Sequence, residues 1–125
     1  MDIPRSPARI AAALAERWSP RVVAELEDVY VKVAKVEGTL VWHRHDDEDE
    51  LFYVLKGRLR LELEGREAVE LAEGELFVVP KGLRHLPVAD TECHLLLIER
   101  KTTQHTGDVA TAQTRSLADQ LRPLP

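Results

Sequence analysis

The sequence predicts an all-β sandwich or barrel with one short helix ahead of it. Three observations carry this. From Val29 onward, apolar residues recur with a period of two, the repeat of a strand with one face turned inward. Short apolar runs then follow one another closely. Turn pairs punctuate them at Lys56-Gly57, Glu64-Gly65, Glu73-Gly74 and Lys81-Gly82, and many short strands so spaced make a sandwich or barrel. At 125 residues, 44% hydrophobic and 31% charged, the chain suits one domain that buries its own core.

The elements follow in order. Ser6 can cap a helix and Pro7 suits its first turn. Ile10, Leu14 and Trp18 repeat at i, i+4, i+8 and give one apolar stripe, and Pro20 stops the run. Residues 1–28 thus read as an N-terminal helical segment whose stripe docks on the outside of a sheet. Val29–Val36 is a strand with β-branched residues on one face and polar Lys32 on the other. Thr39–His45, Glu50–Lys56, Arg58–Glu64, Glu67–Leu71, Leu76–Val79, His85–Ala89 and Glu92–Glu99 are the further strands. Arg58–Glu64 alternates strictly, leucines inward and charges outward. Leu51–Leu55 and Leu95–Ile98 are apolar on both faces. A β chain this small cannot cover both faces of every strand, so the helix or a second subunit must do so, and a homodimer is expected. Lys101–Gln113 is Thr-rich and aperiodic, and Ser116–Leu121 can form one short helix, so residues 101–125 read as a polar C-terminal arm.

Charge and composition exclude several classes. Lys and Arg number 17 against 22 Asp and Glu, a net charge of −5, where a nucleic-acid surface needs a basic excess. One cysteine, Cys93, rules out an internal disulfide and a Cys-rich zinc module. The apolar runs are too short to span a bilayer, and the N-terminal stretch has no clear apolar core and cleavage site. The expectation is a cytoplasmic protein without a membrane or nucleic-acid partner.

The chemistry concentrates in His43-Arg44-His45. On a strand, residues i and i+2 share a face, so both imidazoles point the same way with Val41. Two neighbouring rings on an inner face can share one metal ion, each giving a lone pair. The run Asp46–Asp49 reads as a solvated turn, but Glu50 begins the next strand with the parity of Phe52 and Val54. An antiparallel pairing with Thr39–His45 puts Glu50 across from the histidines. A buried carboxylate needs a cation or several hydrogen bonds, and a metal supplies the cation. His85 follows the turn Pro80-Lys81-Gly82 and can face the same interior. Three imidazoles and a carboxylate suit a divalent transition metal such as Fe, Mn, Ni, Co, Cu or Zn.

At these residues the chain resembles the cupin superfamily. Its first motif, G(X)5HXH(X)3–4E(X)6G, is met by His43-x-His45-x4-Glu50-x6-Gly57. Its second, G(X)5PXG(X)2H(X)3N, is met by Gly74-x5-Pro80-x-Gly82-x2-His85. Two positions depart: Gly38 sits one residue too close to His43, and Ala89 stands where the motif ends in Asn. The resemblance is strongest to the small single-domain cupins loosely grouped with mannose-6-phosphate isomerase. It implies a double-stranded β-helix, or jelly-roll barrel, over residues 29–100. It also implies metal ligation by His43, His45, Glu50 and His85.

Other residues read more simply. Phe52, Val54, Leu59, Leu61, Phe77 and Val79 are core or pocket wall, and Tyr53 and Trp42 are interface packing. Lys81 and Arg84 are solvated loop charges near the pocket mouth. Cys93 is an inert strand residue. His94 shares a face with Leu96 and Ile98 and reads as a hydrogen-bonded strand residue, with a view into the pocket as the sharper alternative. His105 lies in the polar arm, expected exposed unless an arm exchanged with a partner brings it to a site. The expected function is a metal-dependent enzyme, an isomerase or dioxygenase, acting on a small polar metabolite such as a sugar, a sugar phosphate or an oxo/hydroxy compound. The alternative is a non-catalytic small-molecule binding or sensing module.

Overall fold

A computed structural model describes residues 3–125. Its elements run α1 (Pro7–Ala13), β1 (Arg21–Leu26), β2 (Val29–Thr39), β3 (Glu50–Lys56), β4 (Leu59–Leu63), β5 (Arg66–Leu71), β6 (Leu76–Val79), β7 (His85–Arg100) and α2 (Leu117–Gln120). Every strand pairing between these elements is antiparallel. One layer follows the order β1-β2-β7-β3-β6, and the other is built by β4 between β5 and the first half of β7. The strand path stays open, as a jelly roll whose layers share the two longest strands.

The core lies between the layers. Val54, Leu59, Leu61, Cys93 and Leu95 are almost wholly buried there. Each buried branched or aromatic side chain contributes about 1.5–3 kcal/mol. β4 shows the alternation its sequence dictates: Leu59, Leu61 and Leu63 are buried while Arg60 and Glu62 face outward, bonded to each other at 2.9 Å. The turn after β3 needs glycine. Gly57 has φ +87°, and a Cβ there would sit 3.0 Å from the Glu92 carbonyl oxygen.

Outside the first layer, Ala11 and Leu14 of the helical segment pack on Val23 and Val33. Ser6 caps α1, accepting from the Arg9 N–H at 3.3 Å. The helix ends at Ala13, well short of Pro20. Two contacts from β2 compete for the chain beyond it: the Lys35 ammonium donates to the Ala12 carbonyl at 2.8 Å, and the Trp18 N–H donates to the Lys35 carbonyl at 2.9 Å. Trp18 therefore leaves the stripe of Ile10 and Leu14. With φ at 54° it swings into the inter-layer core, its indole N–H bonded to the Glu37 carbonyl at 2.8 Å.

Four further differences from the sequence expectation have physical causes. Arg21–Leu26, inside the segment read as helical, is an edge strand on β2. The expected strand Thr39–His45 keeps regular pairing only to Thr39. Beyond it, Pro87 accepts from the Leu40 N–H but has no N–H to return, so the ladder thins to the His43–His85 bridge. His85–Ala89 and Glu92–Glu99 are one bent strand rather than two. Finally, Lys32 points inward and is 1% exposed, whereas the β-branched face, with Val33, lies under α1.

Candidate metal centre

His43, His45, Glu50 and His85 are all buried, and one ligand atom from each lies within 4.8 Å of the others. Their convergence follows from three local pairings. His43 and His85 face each other and exchange both backbone hydrogen bonds, at 3.0 and 2.8 Å. The Gly82 N–H donates to the His45 carbonyl at 2.8 Å, which ties the turn before His85 to the histidine pair. Glu50 opens β3 opposite Val79 of β6 and Glu99 of β7, with Phe52 and Val54 buried behind it. Asp49 is more than a solvated turn residue, since its carboxylate accepts from the Lys81 N–H at 2.8 Å.

The rings are prepared to donate lone pairs. His43 Nδ1 lies 2.8 Å from the Val41 carbonyl and His85 Nδ1 lies 3.0 Å from the Leu83 carbonyl. A carbonyl only accepts, so each Nδ1 carries the proton and each Nε2 is left as a ligand. Both nitrogens of His45, Nε2 of His85 and Oε1 of Glu50 are buried without a hydrogen-bond partner. Glu50 Oε1 stands 3.3 Å from His45 Nε2 and 3.4 Å from His85 Nε2. Such orphaned atoms are costly to bury, and one shared cation satisfies them together. The donor set therefore fits a divalent first-row metal ion. Burial and the neighbouring His85 push the His43 ring down to about 4, so it stays neutral and able to ligate. Burial also works against a charged His45, but contact with Glu50 outweighs it and raises that ring. Burial works to raise Glu50, yet the close His45 and His85 rings hold it well below the usual carboxylate range.

Behind Glu50 lies a second buried group that the alternation of β2 concealed. Lys32 Nζ is 2.7 Å from Glu99 Oε1, with both side chains almost completely buried. Glu99 stands opposite Glu50 across β3 and β7, so two buried carboxyls are neighbours. Burial and the charge of Glu50 push the Glu99 carboxyl well above the ordinary range, and the Lys32 ammonium works against that rise.

A narrow cavity with an inner volume of about 30 Å³, partly open to solvent, adjoins the cluster. Ala34, Val36, Phe52, Leu95 and Leu97 form its apolar wall, Trp18 lies at its side, and His43, Glu50 and His105 are its ionisable groups. His105 comes from this chain's own arm, so no exchanged partner is needed to bring it there. The arm is pinned to the ligand loop. Asp108 accepts from the Arg44 N–H at 2.9 Å and returns its own N–H to the Arg44 carbonyl at 3.1 Å, while the Thr102 hydroxyl donates to Glu48 at 2.9 Å. Arg84 Nη1, at the same rim, lies 3.6 Å from Asp108. Gly107 permits this approach: its φ is +56°, and a Cβ would land on the Arg44 carbonyl oxygen. Gly107→Ala is expected to lift the arm, speeding proteolytic cleavage within residues 101–115 by about 10-fold or more. Unchanged cleavage would show that the arm is held otherwise.

The remaining candidates lie elsewhere. His94 points away from the cavity and bonds Glu92 at 2.9 Å, as an ordinary strand residue. Cys93 sits in the core with its thiol pushed up to about 12 by burial, which leaves it inert.

Fold and cluster together define a class. The chain belongs to the cupin family: the cupin domain model matches residues 29–99, and the double-stranded β-helix carries the His and Glu cluster at its mouth. Among its relatives, the uncharacterized protein YdbB of Bacillus subtilis (strain 168) is 30% identical over 95 residues, covering 76% of this chain and 84% of that protein. A 3-hydroxyanthranilate 3,4-dioxygenase of Burkholderia cenocepacia is 42% identical over 69 residues, which span 51% of this chain and only 39% of the dioxygenase. The crystal structure of a cupin-2 domain containing protein from Shewanella frigidimarina superposes with a TM-score of 0.68 at 43% identity, covering 71% of this chain and 86% of that one.

Proposed function

We propose that this cupin is a metal-dependent enzyme acting on a compact oxo or hydroxy compound, with one divalent ion held by His43, His45, Glu50 and His85. One observation carries the reading: three imidazoles and a carboxylate converge, with buried unpartnered donor atoms, beside a mostly apolar cavity. The ion would supply a Lewis acid with open coordination positions. The chain supplies the rest. Val41 and Leu83 fix the ligating tautomers through their carbonyls, and Trp18 and His105 of the arm line the cavity beside the cluster. No Lys or Arg lines the cavity, so a phosphate group would find no cationic partner in the wall, which disfavours a sugar phosphate. The partial likeness to a dioxygenase supports oxygenation over isomerisation.

The test is to load the protein separately with Fe, Mn, Ni, Co, Cu and Zn and measure bound metal by elemental analysis. Oxygen uptake is then followed with compact hydroxy and oxo compounds and with sugar phosphates. About one ion per chain is expected, with turnover confined to the first group. Metal well below stoichiometry would overturn the proposal. The small inner volume of the cavity favours one second reading, a non-catalytic binding module, and thermal stabilisation by a compound without turnover would establish it.

We further propose a homodimer. The outer face of β6, β3 and β7 carries Leu76, Val78 and Ile98, which are 57%, 43% and 37% exposed, beside Leu51 and Tyr53. The helical segment and Leu124 cover this side only as far as Leu55 and leave Leu76, Val78 and Ile98 exposed, with β6 at the end of the strand order among the described residues. A second copy presenting the same face would bury both. Val78→Lys is expected to convert a dimer to a monomer in light scattering; a monomeric parent protein would refute the dimer. A cytoplasmic location is in keeping with the free thiol of Cys93. Among the described residues no helix is long and apolar enough to cross a membrane.

A further inference from the structure

The arm delivers a histidine that belongs to neither cupin motif. His105 lines the same cavity as His43 and Glu50. The Arg115 backbone N–H donates to its Nδ1 at 2.8 Å, so Nδ1 is an acceptor and the ring proton resides on Nε2. Among the described residues nothing in the protein accepts a hydrogen bond from that Nε2–H. Burial pushes the ring down to about 4, which keeps it neutral in ordinary buffers. The position is held by the Asp108–Arg44 pair and by Gly107 packed on Arg44. Three features therefore define what fits. A divalent ion set against the single carboxylate of Glu50 is a positive centre and favours an anionic oxygen. His105 offers one N–H donor, which requires an acceptor. The narrow cavity places both handles close together, and the rest of its wall is apolar.

We infer that His105 is a specificity residue whose Nε2–H binds the second oxygen of a compact anion carrying two neighbouring oxygens, such as a 2-oxo carboxylate or an enediolate, whose first oxygen lies on the metal. This rests on the metal reading above and names the ligand class of that same site. The imidazole acts as a donor only and transfers no proton.

The test uses cobalt(II)-loaded full-length protein and two probes followed by visible absorption. Acetohydroxamate has two adjacent oxygens, whereas imidazole binds a metal without offering an oxygen acceptor. His105→Phe is expected to weaken acetohydroxamate by about 10-fold or more, the loss of one hydrogen bond to a charged group, with imidazole affinity and cobalt content unchanged. His105→Gln retains an N–H donor and is expected to recover most of the loss. A metal-free readout is nitrogen NMR of the unloaded protein, which should find His105 protonated on Nε2 with Nδ1 bare. Equal losses for both probes, no loss for either, or the opposite tautomer would overturn the assignment. Failure of the parent protein to take up cobalt would overturn the metal reading and this inference with it. That result differs from loss of the probe difference in a fully loaded protein.

Discussion

His45→Ala is expected to reduce metal affinity by more than about 100-fold, beyond the effect of losing an outer hydrogen-bond partner to a ligand. The fold should survive. His45 lies outside the regular strands and outside the hydrophobic core cluster, and both its nitrogens are already without hydrogen-bond partners. Elemental analysis after gel filtration reads the loss, and circular dichroism checks the fold. Full metal retention in the variant would remove His45 from the ligand set. Loss of metal together with loss of structure would instead mean that the ion is a folding staple.

Lys32→Met is expected to destabilise the metal-free protein by about 3 kcal/mol at neutral pH, the low end for breaking a buried ion pair. The cause is the stranding of Glu99, which among the described residues has no other cation at 4.0 Å or less and already presses on Glu50. The low end applies because Glu99 can relieve part of the cost by taking a proton. Its folded-state value is raised, so the folded state binds more protons than the unfolded one, and the penalty shrinks as pH falls. Urea unfolding across pH measures this. The double variant Lys32→Met, Glu99→Leu should recover most of the loss, since an apolar pair of similar volume carries no buried charge. A single variant as stable as the parent at neutral pH would mean that Lys32 balances nothing.

The part of this molecule legible in the sequence is the part that obeys a period or a spacing. β4 declares its faces because one side is solvated and the other is not. The positions of His43, His45, Glu50 and His85 are legible because their turns and strands fix their parity. Lys32 is misread for the opposite reason. Both faces of β2 are covered, one by α1 and one by the core, so alternation cannot say which is inside and places a charge in solvent. Trp18 sits at helical spacing from Leu14, but backbone contacts with β2 end the helix first. His105 lies in an aperiodic stretch, and its place depends on Asp108 meeting Arg44, 64 residues away in sequence. A local hint is Gly107, a glycine in a polar stretch, whose positive φ only the structure shows. β1 is not legible because Arg21–Leu26 is a short edge strand lying between Pro20 and a turn.

The long bent β7 has a consequence for how the protein is made. Its residues 85–100 supply hydrogen bonds to β2, β3 and β4 alike, so neither layer is complete without it. A growing polypeptide still attached to the ribosome must keep the leucines of β4 and the valines of β2 waiting until that last strand emerges. Assembly is therefore late and all at once, and this interval is when a chaperone has the most exposed surface to hold.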